Sequence, residues 1–358
     1  MCSSDLLTGL SRLRIAGAWV VVDGLTFTNG YVSSGDVIGF QETTFNLASF
    51  SRITNCAIIH YNPPNGMLDT KWVSLYGFSN RVENCYFVGK TNLGTTLVVW
   101  VDTDANKPGY HYVGRNYFGP RPPLGVNGGE AIRVGTSDVS LNNSRTTVEY
   151  NFFERYNGDA EIISSKSCEN VYRFNTFVEC EGALSLRHGN RCTVEGNFFF
   201  GGLKPLTGGV RVVGEDHLVY NNYFADLTGT SARSPVSIMQ GLVNTPLSGY
   251  ALRHRVVGRA GRHVHGGHAG ARKHASLRVA DDADDGSGRY GLAGRGPHPR
   301  HHQKAQACQK GSDLDHGASV VETHRVRVTF SSAALLGSRV ADPASTAFHL
   351  DFLQIAAK

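Results

Sequence analysis

Two short stretches, DAEIISSKS from Asp159 and LSLRHGN from Leu184, concentrate acids, a lysine, an arginine and a histidine in an otherwise apolar, amide-rich region. If the first stretch is a strand with Ala160 and Ile162 facing inward, Asp159 and Glu161 project from one outer face, two residues apart. Neighbouring carboxylates repel each other, and a shared cation stabilises them. An all-oxygen pair suits calcium better than zinc or copper. The pattern therefore predicts a calcium site on a strand face.

The basic residues nearby extend this chemistry. Arg187 and Arg211 lie 24 positions apart, and a coil of that length would stack them on one surface as an anion-binding strip. Lys166, which we place on the turn just past the strand, is a candidate base because neighbouring cations disfavour its charged form. These groups suit removal of the proton alpha to a uronate carboxylate by Lys166, with protonation of the departing O4 by an arginine or a hydroxyl. We expect β-elimination that leaves an unsaturated sugar.

A repeat explains how such residues could be brought together. The segments ITNCAI, VENCYF, VGRNYF, VEYNFF, YRFNTF, VEGNFF and VYNNYF share an asparagine and a following apolar or aromatic residue. The repeated asparagines, 22 to 35 residues apart, are Asn55, Asn84, Asn116, Asn151, Asn175, Asn197 and Asn222. Each unit alternates over a short segment and is broken by Gly or Asn turns, as strands are, and no window keeps helical spacing. The spacing predicts an all-β, right-handed parallel β-helix rather than a propeller or a sandwich, with the asparagines stacked at buried turns.

Longer repeats early in the chain predict inserted loops at Pro63 to Thr70, Asp102 to Tyr110 and Pro120 to Asn127. Cys56 and Cys85 occur in equivalent repeats, which favours stacked core thiols over a disulfide. No CxxC pair occurs among the seven cysteines, so a metal-thiolate site is not expected. There is no apolar run long enough for a membrane span, and no secretion signal opens the chain. We interpret the start as truncated.

The excess positive charge behind the net charge of +5 lies in the last part of the chain, after residue 250. Residues 251–358 carry 16 Lys and Arg against 9 Asp and Glu, whereas the first 250 residues carry 19 against 21. The end also holds 11 of the 15 histidines and no asparagine. A basic or metal-binding tail and a disordered extension are alternatives, but the abrupt loss of asparagine favours an out-of-frame or misassembled segment. We therefore predict a β-helix domain at residues 1–249 and an aberrant, disordered tail at residues 250–358. No nucleic-acid or membrane partner is expected for the main body.

Five ordered motifs carry a resemblance to a known family. They are NGGEAIRVG from Asn127, DAEIISSKSCEN from Asp159, NTF from Asn175, LSLRHGN from Leu184 and NFFFGG from Asn197. Together they resemble polysaccharide lyase family 6, the alginate lyases and chondroitinase B, over roughly Val20 to Gly249. The resemblance implies a right-handed parallel β-helix and a calcium-dependent lyase that acts on an acidic, uronate-containing polysaccharide. Alginate is the expected substrate, and dermatan sulfate is the alternative. An extracellular or periplasmic location is also implied.

The resemblance also implies roles for individual residues. By this resemblance, Asn127, Asp159 and Glu161 are the calcium ligands. Lys166 is the catalytic base and Arg187 the catalytic acid. His188 and Arg211 contact the substrate. Arg133 is a further candidate for the sugar groove. Asp159 departs from the family, which usually has glutamate there, and is one methylene shorter.

Other interpretations remain open. The two acids could be a solvated strand face, the arginines a paired surface ladder, and His188 a structural support. A non-catalytic, carbohydrate-binding or adhesive β-helix would keep the groove but has no need of both Lys166 and Arg187. A β-helical hydrolase needs two carboxylates on either side of the scissile bond, and Asp159 and Glu161 are too close together for that.

Overall fold

The computed structural model describes residues 5–239 and, beyond them, the strands Gly258–Ala260 and Lys273–Val279. The described chain is a right-handed parallel β-helix, as predicted. Each coil contributes short strands to three rows, and each strand pairs in parallel with its counterpart on the next coil. One coil cannot bury its own apolar face, so the core forms only by stacking.

The strands of the first row are Val21–Asp23, Arg52–Thr54, Arg81–Glu83, Tyr112–Gly114, Thr147–Glu149, Val171–Arg173, Thr193–Glu195 and the start of Leu218–Ala225. Those of the second row are Leu6–Gly9, Thr26–Gly30, Ala57–Ile59, Tyr86–Val88, Tyr117–Phe118, Phe152–Glu154, Thr176–Val178, Phe198–Phe200 and the end of Leu218–Ala225. The third row, called the site row below, contains Leu13–Arg14, Gly35–Gly39, Thr70–Leu75, Leu97–Val99, Ile132–Val134, Glu161–Lys166, Gly182–His188, Thr207–Val212 and Val236–Ile238.

The remaining elements are small. A three-stranded sheet contains Gly17–Ala18, Gln41–Thr43 and Asn46–Ser49, and the 3-10 turns are Asp104–Asn106, Ser137–Val139 and Ser231–Arg233. Lys273–Val279 pairs antiparallel with both Leu218–Ala225 and Gly258–Ala260. Within the described ranges no helix is long and apolar enough to cross a membrane.

The interior of the second row is a column of phenylalanine rings. Neighbouring rings are 4.6 to 5.2 Å apart between centroids. The column runs through Phe87, Phe118, Phe153, Phe177, Phe199 and Phe224. These are the last residues of six of the seven repeated motifs, so the repeat encodes the core as well as the turn.

The asparagine ladder, defined as Asn116, Asn151, Asn175, Asn197 and Asn222, fills the turn between the first and second rows. In a typical rung, the Asn151 side-chain amide donates to the Val113 carbonyl at 3.0 Å and to Asn175 Oδ1 at 2.9 Å. The backbone N–H of Asn151 also donates to Asn175 Oδ1. A buried turn thus keeps its polar groups satisfied. The predicted structural role of these five asparagines is confirmed.

The first two asparagines of the repeat were assigned wrongly. Asn55 and Asn84 adopt φ of 52° and 55° at the outer turn position, and Cys85 occupies the ladder position one residue later. Its backbone N–H donates to Asn116 Oδ1 at 2.9 Å, as a ladder asparagine would. Asparagine tolerates positive φ, so it is common at both positions. Cys56 and Cys85 are buried free thiols, as predicted.

Two of the predicted loops, Pro63 to Thr70 and Pro120 to Asn127, connect a strand of the second row to a strand of the site row. The third, Asp102 to Tyr110, connects the site row to the first row. Thr70 itself is already the first residue of a strand. The predicted boundary at residue 249 and the out-of-frame interpretation of residues 250–358 fall outside the described residues, apart from the two strands named above. Both stay predictions.

Candidate active site on the third row of strands

The loop that carries Asn127 is pressed against the residues before Glu161. A Cβ on Gly129 would lie 2.1 Å from the Gly158 carbonyl oxygen, and a Cβ on Gly158 would lie 2.3 Å from that of Gly129. Only glycine allows this approach. It lets Asp159 Oδ2 accept hydrogen bonds from the backbone N–H groups of Gly128, at 2.8 Å, and Gly129, at 3.2 Å. Asn127 is exposed beside this contact.

Glu161 is the acid around which the cations converge. Its Oε1 accepts from Arg211 Nη1 at 3.0 Å and lies 3.5 Å from Arg187 Nε, while Oε2 accepts from the Ser164 hydroxyl. Burial raises the pKa of Glu161, and Ser164, Lys166, Arg187 and Arg211 act in the opposite direction. One buried carboxylate is therefore held by a hydroxyl and two arginines, and Lys166 is near enough for its charge to act on it.

The strand Glu161–Lys166 departs from strict alternation. Its register against the next strand shifts between Glu161 and Ile163, and both Ile162 and Ile163 are buried in the core. Such a bulge re-aims side chains next to it, here the carboxylate. Lys166 is the last residue of the strand rather than a turn residue, so that prediction was wrong by one position. A second register shift skips Arg187 and pairs Lys166 with His188, which is buried.

The two arginines meet at Glu161, but not as a one-coil stack. Arg211 lies opposite Ser185, 26 positions earlier, so Arg187 is displaced along the neighbouring strand. The prediction of a 24-residue coil was wrong because the loop before Thr207 is longer than the one before Gly182. Burial, and then the charge of Arg187, lower the pKa of Arg211, while Glu161 raises it. Arg211 nevertheless stays charged, because the guanidinium is a strong base.

Arg133 lies on the same row, beside Ser164 of the next coil. Its guanidinium is 5.5 Å from the centroid of the Trp100 ring, and Trp100 stacks on Tyr76 at 5.8 Å. These two aromatic residues were not among the predicted site residues. Each directly follows a site-row strand, and that position was the available signal. Together they form an aromatic and cationic surface that suits the apolar and anionic faces of a uronate.

Asn127, Asp159 and Glu161 supply only oxygen. Asp159 Oδ1 accepts one long hydrogen bond, from the Glu161 N–H at 3.3 Å, which leaves lone-pair capacity. In the part of the chain that the structure describes, no group of three or more His, Cys, Asp or Glu is placed to hold a metal. A cation here would therefore need the asparagine with the two acids. This amide and carboxylate set fits calcium.

The fold and this face define a class: parallel β-helices with an acid, a lysine and arginines on one row of strands. The family model for chondroitinase B matches residues 4–260. The chain belongs to that family, polysaccharide lyase family 6.

Solved structures agree. The PL6 alginate lyase AlyGC is 45% identical, with a TM-score of 0.67 over 69% of this chain and 34% of its own. A mannuronic acid specific family 6 lyase from human gut microbiota is 38% identical, with a TM-score of 0.64 over 66% of this chain and 53% of its own. A PL6 alginate lyase in complex with a trisaccharide is 28% identical, with a TM-score of 0.57 over 67% of this chain and 49% of its own. The chain thus spans about a third to a half of the length of these proteins. A comparison with curated proteins finds no match.

Proposed function

We propose that this chain is a calcium-dependent lyase that cleaves alginate by β-elimination. The observation that carries the proposal is the convergence of Arg187 and Arg211 on Glu161, on the strand that ends at Lys166, in a chain similar to PL6 alginate lyases. A carbohydrate-binding surface without catalysis would not need a lysine and two arginines around one acid. An extracellular or periplasmic location follows, since a polymer of this kind is degraded outside the cytoplasm.

In the proposed reaction the uronate lies along the site row. Lys166 takes the C5 proton, the C5–H electron pair forms the C4=C5 double bond, the C4–O4 bond breaks, and Arg187 delivers a proton to O4. Arg211, Arg133 and His188 orient the sugar and its carboxylate. Calcium, held by Asn127, Asp159 and Glu161, would neutralise the substrate carboxylate and so acidify the C5 proton. No water is consumed.

The substrate test is incubation of the full chain with alginate and with dermatan sulfate, following the ultraviolet absorbance of the unsaturated product. We expect absorbance to rise with alginate and to stop when a chelator is added. A rise in absorbance with dermatan sulfate alone would favour a second candidate, a chondroitinase B-type lyase. The match to the chondroitinase B family model is the observation that supports this candidate. No rise with either polymer would contradict a lyase.

The base is tested by Lys166→Ala against Lys204→Ala, an exposed lysine on the loop that precedes the site-row strand Thr207–Val212. We expect the first variant to lose activity and the second to keep it. Equal activity in the two variants would remove Lys166 from the mechanism.

A further inference from the structure

Arg121 is a buried cation beneath the candidate active site. It is 1% exposed, and among the described residues no ion pair involves it. Its guanidinium donates to neutral acceptors only: the Asn92 and Gly94 carbonyls, at 2.8 and 3.1 Å, and the Tyr156 hydroxyl at 3.0 Å. Burying a charge without a counter-charge is costly, so a neutral side chain would serve packing better.

A second buried cation raises that cost. Lys90 is also 1% exposed and hydrogen-bonds Asn92 Oδ1. Burial, and then the charge of Arg121, hold the pKa of Lys90 well below its usual range. Arg121 therefore disfavours the charged form of its neighbour as well, which makes a purely structural reason for it weaker still.

The contacts of Arg121 lead to the loop that carries the candidate calcium ligands. The Gly94 N–H donates to the Gly128 carbonyl at 3.1 Å, and the Gly128 N–H donates to Asp159 Oδ2 at 2.8 Å. Two hydrogen bonds thus separate the turn that Arg121 holds from the carboxylate of Asp159.

A second connection runs through Tyr156. Its hydroxyl, held by Arg121, donates to the Glu130 carbonyl at 3.1 Å and hydrogen-bonds the Thr96 hydroxyl at 2.7 Å. Glu130 follows the Asn127 loop directly. The residues that follow Asn127 are therefore fixed from inside the coil at two points, Gly128 and Glu130.

The third contact is direct packing. A Cβ on Gly158, the residue before Asp159, would lie 2.7 Å from Arg121 Cδ and 2.8 Å from its Nε. The backbone that presents Asp159 therefore lies against the arginine side chain.

We propose that Arg121 is a positioning residue, which holds the Asn127 loop and Asp159 at the separation that a bound calcium ion requires. The inference rests on the proposed function, because it concerns that cation. Arginine suits the task since its planar fork reaches three acceptors at once, whereas lysine cannot match that geometry. Residues that hold metal ligands in place typically change metal affinity about 10- to 100-fold when altered.

The experiment measures calcium binding without substrate, as the rise in Tm that calcium produces in the full chain, titrated to a midpoint. The variants are Arg121→Lys and Tyr156→Phe, which removes only the hydroxyl shared by Arg121 and Glu130. Tyr61→Phe is the matched control: that buried hydroxyl bonds the Gly9 and Ser11 carbonyls, neither of which belongs to the loop or to the contacts of Arg121. We expect the calcium midpoint to rise about 10-fold or more in the first two variants and to stay at the wild-type value in Tyr61→Phe, although all three lower the Tm.

A midpoint in Tyr156→Phe equal to that of Tyr61→Phe overturns the proposal, even if Arg121→Lys does not fold. So does a wild-type chain whose Tm calcium leaves unchanged, whatever its activity. A chain that shows the calcium-induced rise but cleaves neither polymer overturns the proposed function instead, and the midpoints still decide the role of Arg121.

Discussion

The asparagine ladder and the site row lie on the same coils, yet they are built on opposite rules. In the ladder each rung repeats the residue and the contacts of the previous one, from Asn116 to Asn222. On the site row, neighbouring coils present Arg133, Glu161, Arg187 and Arg211 in turn, and no two rungs carry the same set of contacts.

The difference shows how a solenoid can host a site. Repetition at the turn fixes the spacing of the coils, so that a side chain on one coil meets its partner on the next without local adaptation. The charged residues of the site row can then differ from coil to coil, because the ladder and the phenylalanine column stabilise the fold without them. Changes on the site row should therefore reduce activity more than stability, and changes in the ladder the reverse.

The largest effect is expected for Arg187→Ala. Loss of the group that protonates O4 should lower kcat about 10³-fold, while the Tm changes little because Arg187 is half-exposed and Glu161 keeps Arg211. Steady-state kinetics and thermal unfolding measure the two. If the Tm of Arg187→Ala fell as much as that of a ladder variant, the proposed difference between the site row and the asparagine ladder would be contradicted.

Acid should act through the buried turns. Burial lowers the pKa of His111 and of His217 to about 4, against an ordinary value of 6.5. Between these values the unfolded chain binds a proton that the folded chain excludes. The free energy of unfolding therefore falls as the pH drops from 6.5 to 4, by up to about 3 kcal/mol for each histidine.

His217→Asn tests this directly. His217 Nδ1 accepts from the Cys192 N–H, as Asn80 Oδ1 accepts from the Ser51 N–H on another coil, so asparagine should fit. Chemical unfolding at pH 7 and pH 4.5 should show a smaller loss of stability in the variant than in the wild type. An identical loss would show that His217 does not contribute.

Asn175→Ala should come next in size. The change removes bonds to the Val148 carbonyl and Asn197 Oδ1, and it leaves the Asn151 N–H without its acceptor. We expect a loss of about 2 kcal/mol of unfolding free energy, with unchanged kcat for the folded fraction. A large loss of kcat at constant stability would contradict a purely structural ladder.

Cys85→Asn should have the smallest effect. Cys85 already occupies a ladder position, and its thiol donates to the Glu83 carbonyl as Asn197 Nδ2 donates to the Glu195 carbonyl. Unfolding free energy should change by less than about 1 kcal/mol. Cys180→Asn, a buried cysteine outside the ladder, is the control and should cost more.

The sequence predicted most of the scaffold because the repeat is local: a motif that alternates and ends in a turn residue encodes strand, turn and core together. It placed the ladder one residue off at Asn55 and Asn84, since asparagine suits the outer position with positive φ as well. The candidate site was predicted residue by residue through the resemblance, including Lys166 and Arg187.

Register and connectivity were not predictable in the same way. The offset between Arg187 and Arg211 depends on the length of a loop elsewhere in the coil, and the bulge at Ile162 has no signal in residue type. No signal in the sequence indicates Arg121, because an arginine between two prolines is typical of an ordinary loop. Its burial became visible only when the coils were stacked.

The most direct test of the account is the mass of the products formed from a defined alginate oligosaccharide with calcium present. Elimination splits the substrate without adding an atom, so the masses of the two products should sum to that of the substrate, and one product should carry the double bond. Products that together exceed the substrate by one water would show hydrolysis and contradict the assignment of Lys166 and Arg187 as base and acid.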